Sequence, residues 1–207
     1  MMEMTSTILD SLRFSAAWLK GRSRGALICG IFGAVWMFEA LYFGRIATPV
    51  WLTAVAIFTV AFVAWPVARL RSFPYLPYAA TDLQRWAAIS KTYWTVVAIE
   101  WLACAVAVNW LLHIHRYGLM PQCLGVIIGL HFLPLAKIFK VAIYYATGAV
   151  MALGVLASLT IPAGDVRNIV ACSVLGLSLW TTAAIILCRD GISSRETEGI
   201  RVAADPE

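Results

Sequence analysis

Charge is what this chain has least of. Asp, Glu, Lys and Arg make up 13% of its 207 residues and 61% are hydrophobic, against about 25% charged and 45–50% apolar in soluble domains. A soluble monomer so poor in charge would leave its surface without polar cover, which excludes that class. Its five Cys are scattered without paired spacing, so a disulfide scaffold is excluded as well. Gly and Pro, at 14 and 8 residues, are too few for a collagen-like or low-complexity chain. Fingerprints of nucleophile elbows, zinc peptidases, P-loops and dinucleotide sites are missing too. The reading therefore expects no catalytic residue, no metal and no cofactor.

What is present is a series of long apolar runs, with a mean hydropathy of +0.81. A helix needs about 20 mostly apolar residues to cross ~30 Å of hydrocarbon. Six segments qualify: 26–44, 49–68, 92–112, 122–136, 141–160 and 166–188. The fourth reads as the shortest, broken by Pro134. The runs are continuous and do not alternate in the dyad pattern of a barrel strand, so the fold expected is an all-α, polytopic transmembrane helical bundle. The first 25 residues lack the apolar core of a secretory signal. Ile8, Leu9, Leu12, Ala16 and Leu19 recur there at helical spacing, which predicts a short amphipathic helix on the membrane surface.

Basic residues orient the bundle. Arg13, Lys20, Arg22 and Arg24 precede the first run, and Arg69, Arg71, Arg85 and Lys91 flank the second connection. Lys137 and Lys140 lie in the fourth connection, and Arg189, Arg195 and Arg201 in the tail. Only Arg45, Arg116 and Arg167 of the 16 basic residues fall on the opposite side. The positive-inside rule then predicts six spans with both termini cytoplasmic. The chain divides accordingly into a cytoplasmic amphipathic segment (1–25), a six-helix membrane domain (26–188) and a cytoplasmic tail (189–207). The net charge of +5 belongs to these flanks, where it meets anionic headgroups. No basic stripe with interleaved aromatics is available to bind nucleic acid.

Polar side chains inside the runs are the candidates for function, because each is expensive to insert. Glu39, Glu100 and His131 are the ionisable ones. Counting 1.5 Å per residue from each run's centre places all three within a slab about 10 Å thick around the midplane. If their faces converge, two carboxyls and an imidazole would form a proton relay or a substrate-binding site, the chemistry such groups serve in transporters. Glu39 shares its helical face with Phe32, Trp36 and Phe43, and Glu100 shares its own with Tyr93, Val97, Cys104 and Ala107. Gly125 and Gly129 form a G-x-x-x-G pair suited to close helix packing. Pro134 frees the carbonyl of Leu130 beside His131 and is expected to kink the fourth helix. His113, His115 and Asp165 are too few and too badly spaced for a metal site.

The stretch GLHFLPLAK (Gly129–Lys137) resembles a signature of small bacterial multi-pass membrane proteins of unknown function. The resemblance covers nine residues and implies a bacterial inner-membrane location, with no activity attached. Taken together, these features favour a small proton-coupled transporter built on Glu39, Glu100 and His131. A membrane-embedded enzyme acting on a lipid or isoprenoid, and a non-catalytic accessory or sensor subunit, are the alternatives. The partners expected are the lipid bilayer, a proton or small solute, and further copies of the chain in a homo-oligomer.

Overall fold

The computed structural model describes the backbone of residues 2–72, 80–139 and 141–204, and within it the side chains of 21–68, 70, 71, 87, 89–139 and 141–189. It is all-helical, with no strand among the described residues. The helices are α1 (Met2–Phe43), α2 (Pro49–Ser72), α3 (Ala80–His113), α4 (Met120–Phe139), α5 (Ile143–Ser158) and α6 (Asp165–Ala204). A 3-10 turn, Tyr117–Leu119, leads into α4. Among the described residues, five stretches are long and apolar enough to cross a membrane: Gly21–Phe43, Pro49–Ala68, Ile89–His113, Tyr117–Phe139 and Asp165–Arg189.

Two expectations change. The shortest apolar helix among the described residues is α5, whose 16 residues reach about 24 Å, and not α4. Residues 120–139 run as one helix straight through Pro134. A proline removes one intrahelical hydrogen bond, and close packing of α4 on α5 and α6 holds the helix together across that gap. The amphipathic segment is likewise no separate element in the backbone, because α1 is unbroken from Met2. The aromatic and proline-rich connection at 73–79 lies outside the described residues.

Backbone chemistry explains where the helices stop. After α1, Ile46 N–H donates to Leu41 O (3.2 Å) and Arg45 N–H to Tyr42 O (3.1 Å), with Arg45 at φ 51°. After α3, Arg116 N–H donates to Leu111 O (2.9 Å) and His115 N–H to Leu112 O (3.2 Å), with His115 at φ 55°. Both are Schellman closures, which satisfy the last carbonyls and usually place glycine at the left-handed residue. A side chain there costs roughly 1–2 kcal/mol, partly offset by the greater freedom of an unfolded glycine. Arg45→Gly is therefore expected to stabilise the chain by up to about 1 kcal/mol. The check is a higher thermal midpoint in detergent.

Helix α6 is the hub. It packs on α1, α5 and α4 and touches α2; α2 otherwise lies on α1, and α3 on α4. The fully buried side chains Met151, Val155, Leu175 and Leu187 mark the core between α5 and α6. Of the apolar stretches, 56% of that in α6 is buried, against 6% in each of α2 and α3. The outer faces of those two helices, which carry Trp51, Trp65, Trp94, Trp101 and Trp110, are exposed apolar surface of the kind lipid covers.

Small residues set how closely the helices approach. A Cβ on Gly129 would lie 2.9 Å from both Ala152 N and Gly148 O, and one on Gly125 would meet Val155 at 2.8 Å. Gly176 approaches Met37 and Gly33 O on α1 just as tightly, at 2.7 and 2.9 Å for its added Cβ. Trp180 fills the space beside that contact. Its indole N–H donates to Gly30 O (3.0 Å), and its ring stacks on Phe58 and Phe62 of α2 at 5.5 and 5.7 Å. One side chain thus ties α6, α1 and α2 together inside the apolar layer.

Candidate functional site

Glu100 and His131 come together. Glu100 is near the middle of the apolar stretch of α3, about 1.5 Å from its midpoint, and His131 lies about 4–5 Å from the midpoint of that in α4. Where the two helices pack, His131 Nδ1 stands 3.2 Å from Glu100 Oε2, with the side chains 10% and 18% exposed. The separation is that of an ion pair, but Nδ1 is not aligned for a hydrogen bond and has no other hydrogen-bond partner among the described residues. A small rotation of the ring would make the bond, so a proton can be held by either group or passed between them.

The pair's surroundings are apolar and aromatic. His131 meets the edge of Phe132 at 6.2 Å, and Phe132 in turn meets Tyr144 at 5.4 Å. Two turns along α3, Tyr93 packs edge-on against Phe139 of α4 at 5.8 Å and closes the seam at that end. Cys104, one turn to the other side of Glu100, is half-buried and unbonded. Helix α3 rests mainly on α4, and the polar pair lies on that seam.

Glu39 is not part of this contact. It lies about 10 Å beyond the midpoint of the α1 stretch, toward Phe43. Helix α1 packs on α6 and α2, and the neighbour on which Glu39 acts electrostatically is Cys172 of α6. The expected three-membered cluster is therefore a pair plus a separate carboxyl. The run taken as 26–44 begins at Gly21 in the helix, which moves its midpoint away from Glu39. Pro134 sits three residues beyond His131 within unbroken helix, and Gly125 and Gly129 face α5 and α6.

Other polar contacts lie away from the pair. Gln122 Nε2 donates to Asn168 Oδ1 (3.3 Å) and Ser158 Oγ (3.5 Å), linking α4, α6 and α5 in a buried cluster. Nearby, Arg167 donates to Gly118 O (3.2 Å). Thr147 and Thr182 share a hydroxyl contact of 2.5 Å between α5 and α6. The available signal was a polar residue in the first turns of each of two apolar runs, Gln122 and Asn168, at positions easily taken for solvated helix ends. Among the described residues no three His, Cys, Asp or Glu approach one another as metal ligands would.

The two cavities of note do not include the pair. One, of about 400 Å3, lies along α3 at Ala105, Asn109, Trp110 and His113. The other, of about 320 Å3, runs between α5 and α6. No protein-family model matches the chain, and no curated protein or solved structure is significantly similar to it.

Proposed function

We propose that the chain is a small proton-coupled transporter of the bacterial inner membrane and that Glu100 and His131 carry its proton. The observation behind this reading is the 3.2 Å approach of a carboxylate and an imidazole near the middle of two apolar helices. Intramembrane ionisable pairs are costly, and where they occur they serve ion or substrate pathways more often than packing alone. Their placement between α4 and a weakly held α3 supplies a consequence for protonation. Charge on the pair alters the attraction between the two helices that carry it.

Six spans with both termini in the cytoplasm go with this reading. The short α5 is the crossing in question. Leaving it out would reverse α6 and carry Arg189, Arg195 and Arg201 to the outer side. Its tight antiparallel seam with α4, through Gly129 and Gly148, also favours a full crossing. A green fluorescent protein fused after Glu207 is expected to fluoresce in cells, and alkaline phosphatase fused there to be inactive. The reverse pattern would mean an odd number of spans.

Transport itself is tested in proteoliposomes holding an internal pH dye. Under an imposed pH gradient, a panel of organic cations, amino acids and weak acids is added outside. At least one solute is expected to move protons faster than in protein-free liposomes. Identical traces for every solute would remove the transporter reading.

A further inference from the structure

Helix α3 is fastened differently at its two ends. Its carboxy-terminal end reaches α4 through residues 114–119 alone, and that short connection is tied down. Arg116 N–H donates to Leu111 O (2.9 Å), and the Tyr117 hydroxyl and His115 Nδ1 are hydrogen-bonded at 3.0 Å. Arg167 of α6 donates to Gly118 O (3.2 Å), which pins the connection to the hub helix. Leu111 is buried at this end of the seam. The amino-terminal end is held by side chains instead, with Tyr93 edge-on to Phe139 at 5.8 Å. Between the ends α3 rests mainly on α4, and 6% of its apolar stretch is buried.

Glu100 and His131 lie between these ends, and their joint charge depends on protons. With one proton between them the pair is neutral, either as an ion pair or as a carboxylic acid facing an imidazole. Loss of that proton, or gain of a second, leaves one uncompensated charge in a seam where the side chains are 18% and 10% exposed. A buried charge without a partner is strongly unfavourable. The neighbouring groups do not neutralise a bare carboxylate. Tyr93 and Cys104, within electrostatic reach on α3, are neutral or negative in any state. Lys137 of α4 is exposed and about 9 Å along the helix from His131. Helix α5 carries no charged residue, and those of α6 lie at or beyond the ends of its apolar stretch. Water is the remaining source of relief, and the end of the seam without a tied connection is where it can enter.

We propose that α3 is a proton-controlled arm. It docks on α4 when Glu100 and His131 share one proton, and its amino-terminal end swings out about residues 114–119 when the pair becomes charged. The swing rests on the reading that this pair gains and loses a proton, and it adds the side on which that happens. With six spans the moving end is cytoplasmic, so the open arm exposes the pair to the cytoplasm. Pulsed electron-spin distance measurements on the full chain in lipid, with no solute and no gradient, test the swing. Cys104, Cys123 and Cys188 are replaced by Ala, while Cys29 and Cys172 are buried and stay. Labels on Ser90→Cys and Arg24→Cys report the moving end, and labels on Leu112→Cys and Thr160→Cys the tied end, all at exposed positions. Between pH 5 and pH 9 the first distance is expected to change by at least about 5 Å, a turn of about 8° for a 25-residue stretch. The second distance is expected to stay fixed, and Glu100→Gln/His131→Asn to hold the first fixed as well. A first distance that ignores pH would overturn the proposal. So would an equal change at the tied end, or a change that persists in the double variant. A pH-dependent swing in a chain that moves no solute keeps the arm and removes the transporter reading; transport with α3 fixed at every pH does the reverse.

Discussion

Replacing Glu100 by Gln is expected to abolish solute-driven proton movement, at least 100-fold below wild type, while leaving the folded chain intact. The Gln side chain keeps the shape and a hydrogen-bonding end opposite His131 Nδ1, but it cannot take up or release a proton. Hydrogen bonds between membrane helices contribute on average about 0.6 kcal/mol and at most about 1.7 kcal/mol, so the stability change is expected to stay under about 1 kcal/mol. His131→Asn should act in the same direction, since it too removes a titrating group and retains a polar one. The measurement is the dye-reported proton flux described above, alongside a thermal midpoint for each variant. A variant that melts normally and moves no protons separates chemistry from packing. Full flux in Glu100→Gln would exclude the carboxyl from the mechanism.

Gly148→Ala is expected to have the largest effect on stability, about 2–3 kcal/mol, because overpacking a close seam forces backbone shifts. Its added methyl would sit 2.5 Å from Gly129 O, and a backbone carbonyl cannot swing aside as a flexible side chain can. The same seam seats α4, which carries His131, so loss of the α4–α5 contact is also expected to loosen the Glu100–His131 approach. A lowered midpoint in fluorescence-detected size-exclusion chromatography checks the prediction. Wild-type stability in Gly148→Ala would mean that the helices are further apart than the glycine contact places them.

How much of this was legible in the residues follows from the range of each force. Hydrophobicity is a local property, and so the apolar runs mark helices within a few residues; the run 49–68 coincides with the stretch Pro49–Ala68. Proline was the misleading signal. Pro134 lacks an N–H wherever it sits, but whether its helix breaks depends on neighbours that appear only when α5 and α6 are in place. Depth along a helix was readable at 1.5 Å per residue, and it placed Glu100 and His131 at similar levels. Rotation about the axis and the order of helices around the bundle were not readable. That is why Glu39 was grouped with residues on a seam its own helix does not form. The buried roles of Trp180, Gln122 and Asn168 depend in the same way on partners from 36 to 150 residues away along the chain.

The scarcity of charge that set the class also narrows the chemistry. Inside the apolar stretches Glu100 and His131 are the ionisable groups brought into contact, and the proposed sharing of a proton between them can be tested directly. Infrared difference spectroscopy of the full chain in lipid, stepped between about pH 5 and pH 9, reports the protonated carboxyl through its C=O stretch. A carboxyl that exchanges its proton with an imidazole 3.2 Å away gives a pH-dependent band that disappears in Glu100→Gln and shifts its midpoint in His131→Asn. A spectrum in which no pH-dependent carboxyl band is lost with Glu100, or in which that band ignores His131, would contradict the central claim.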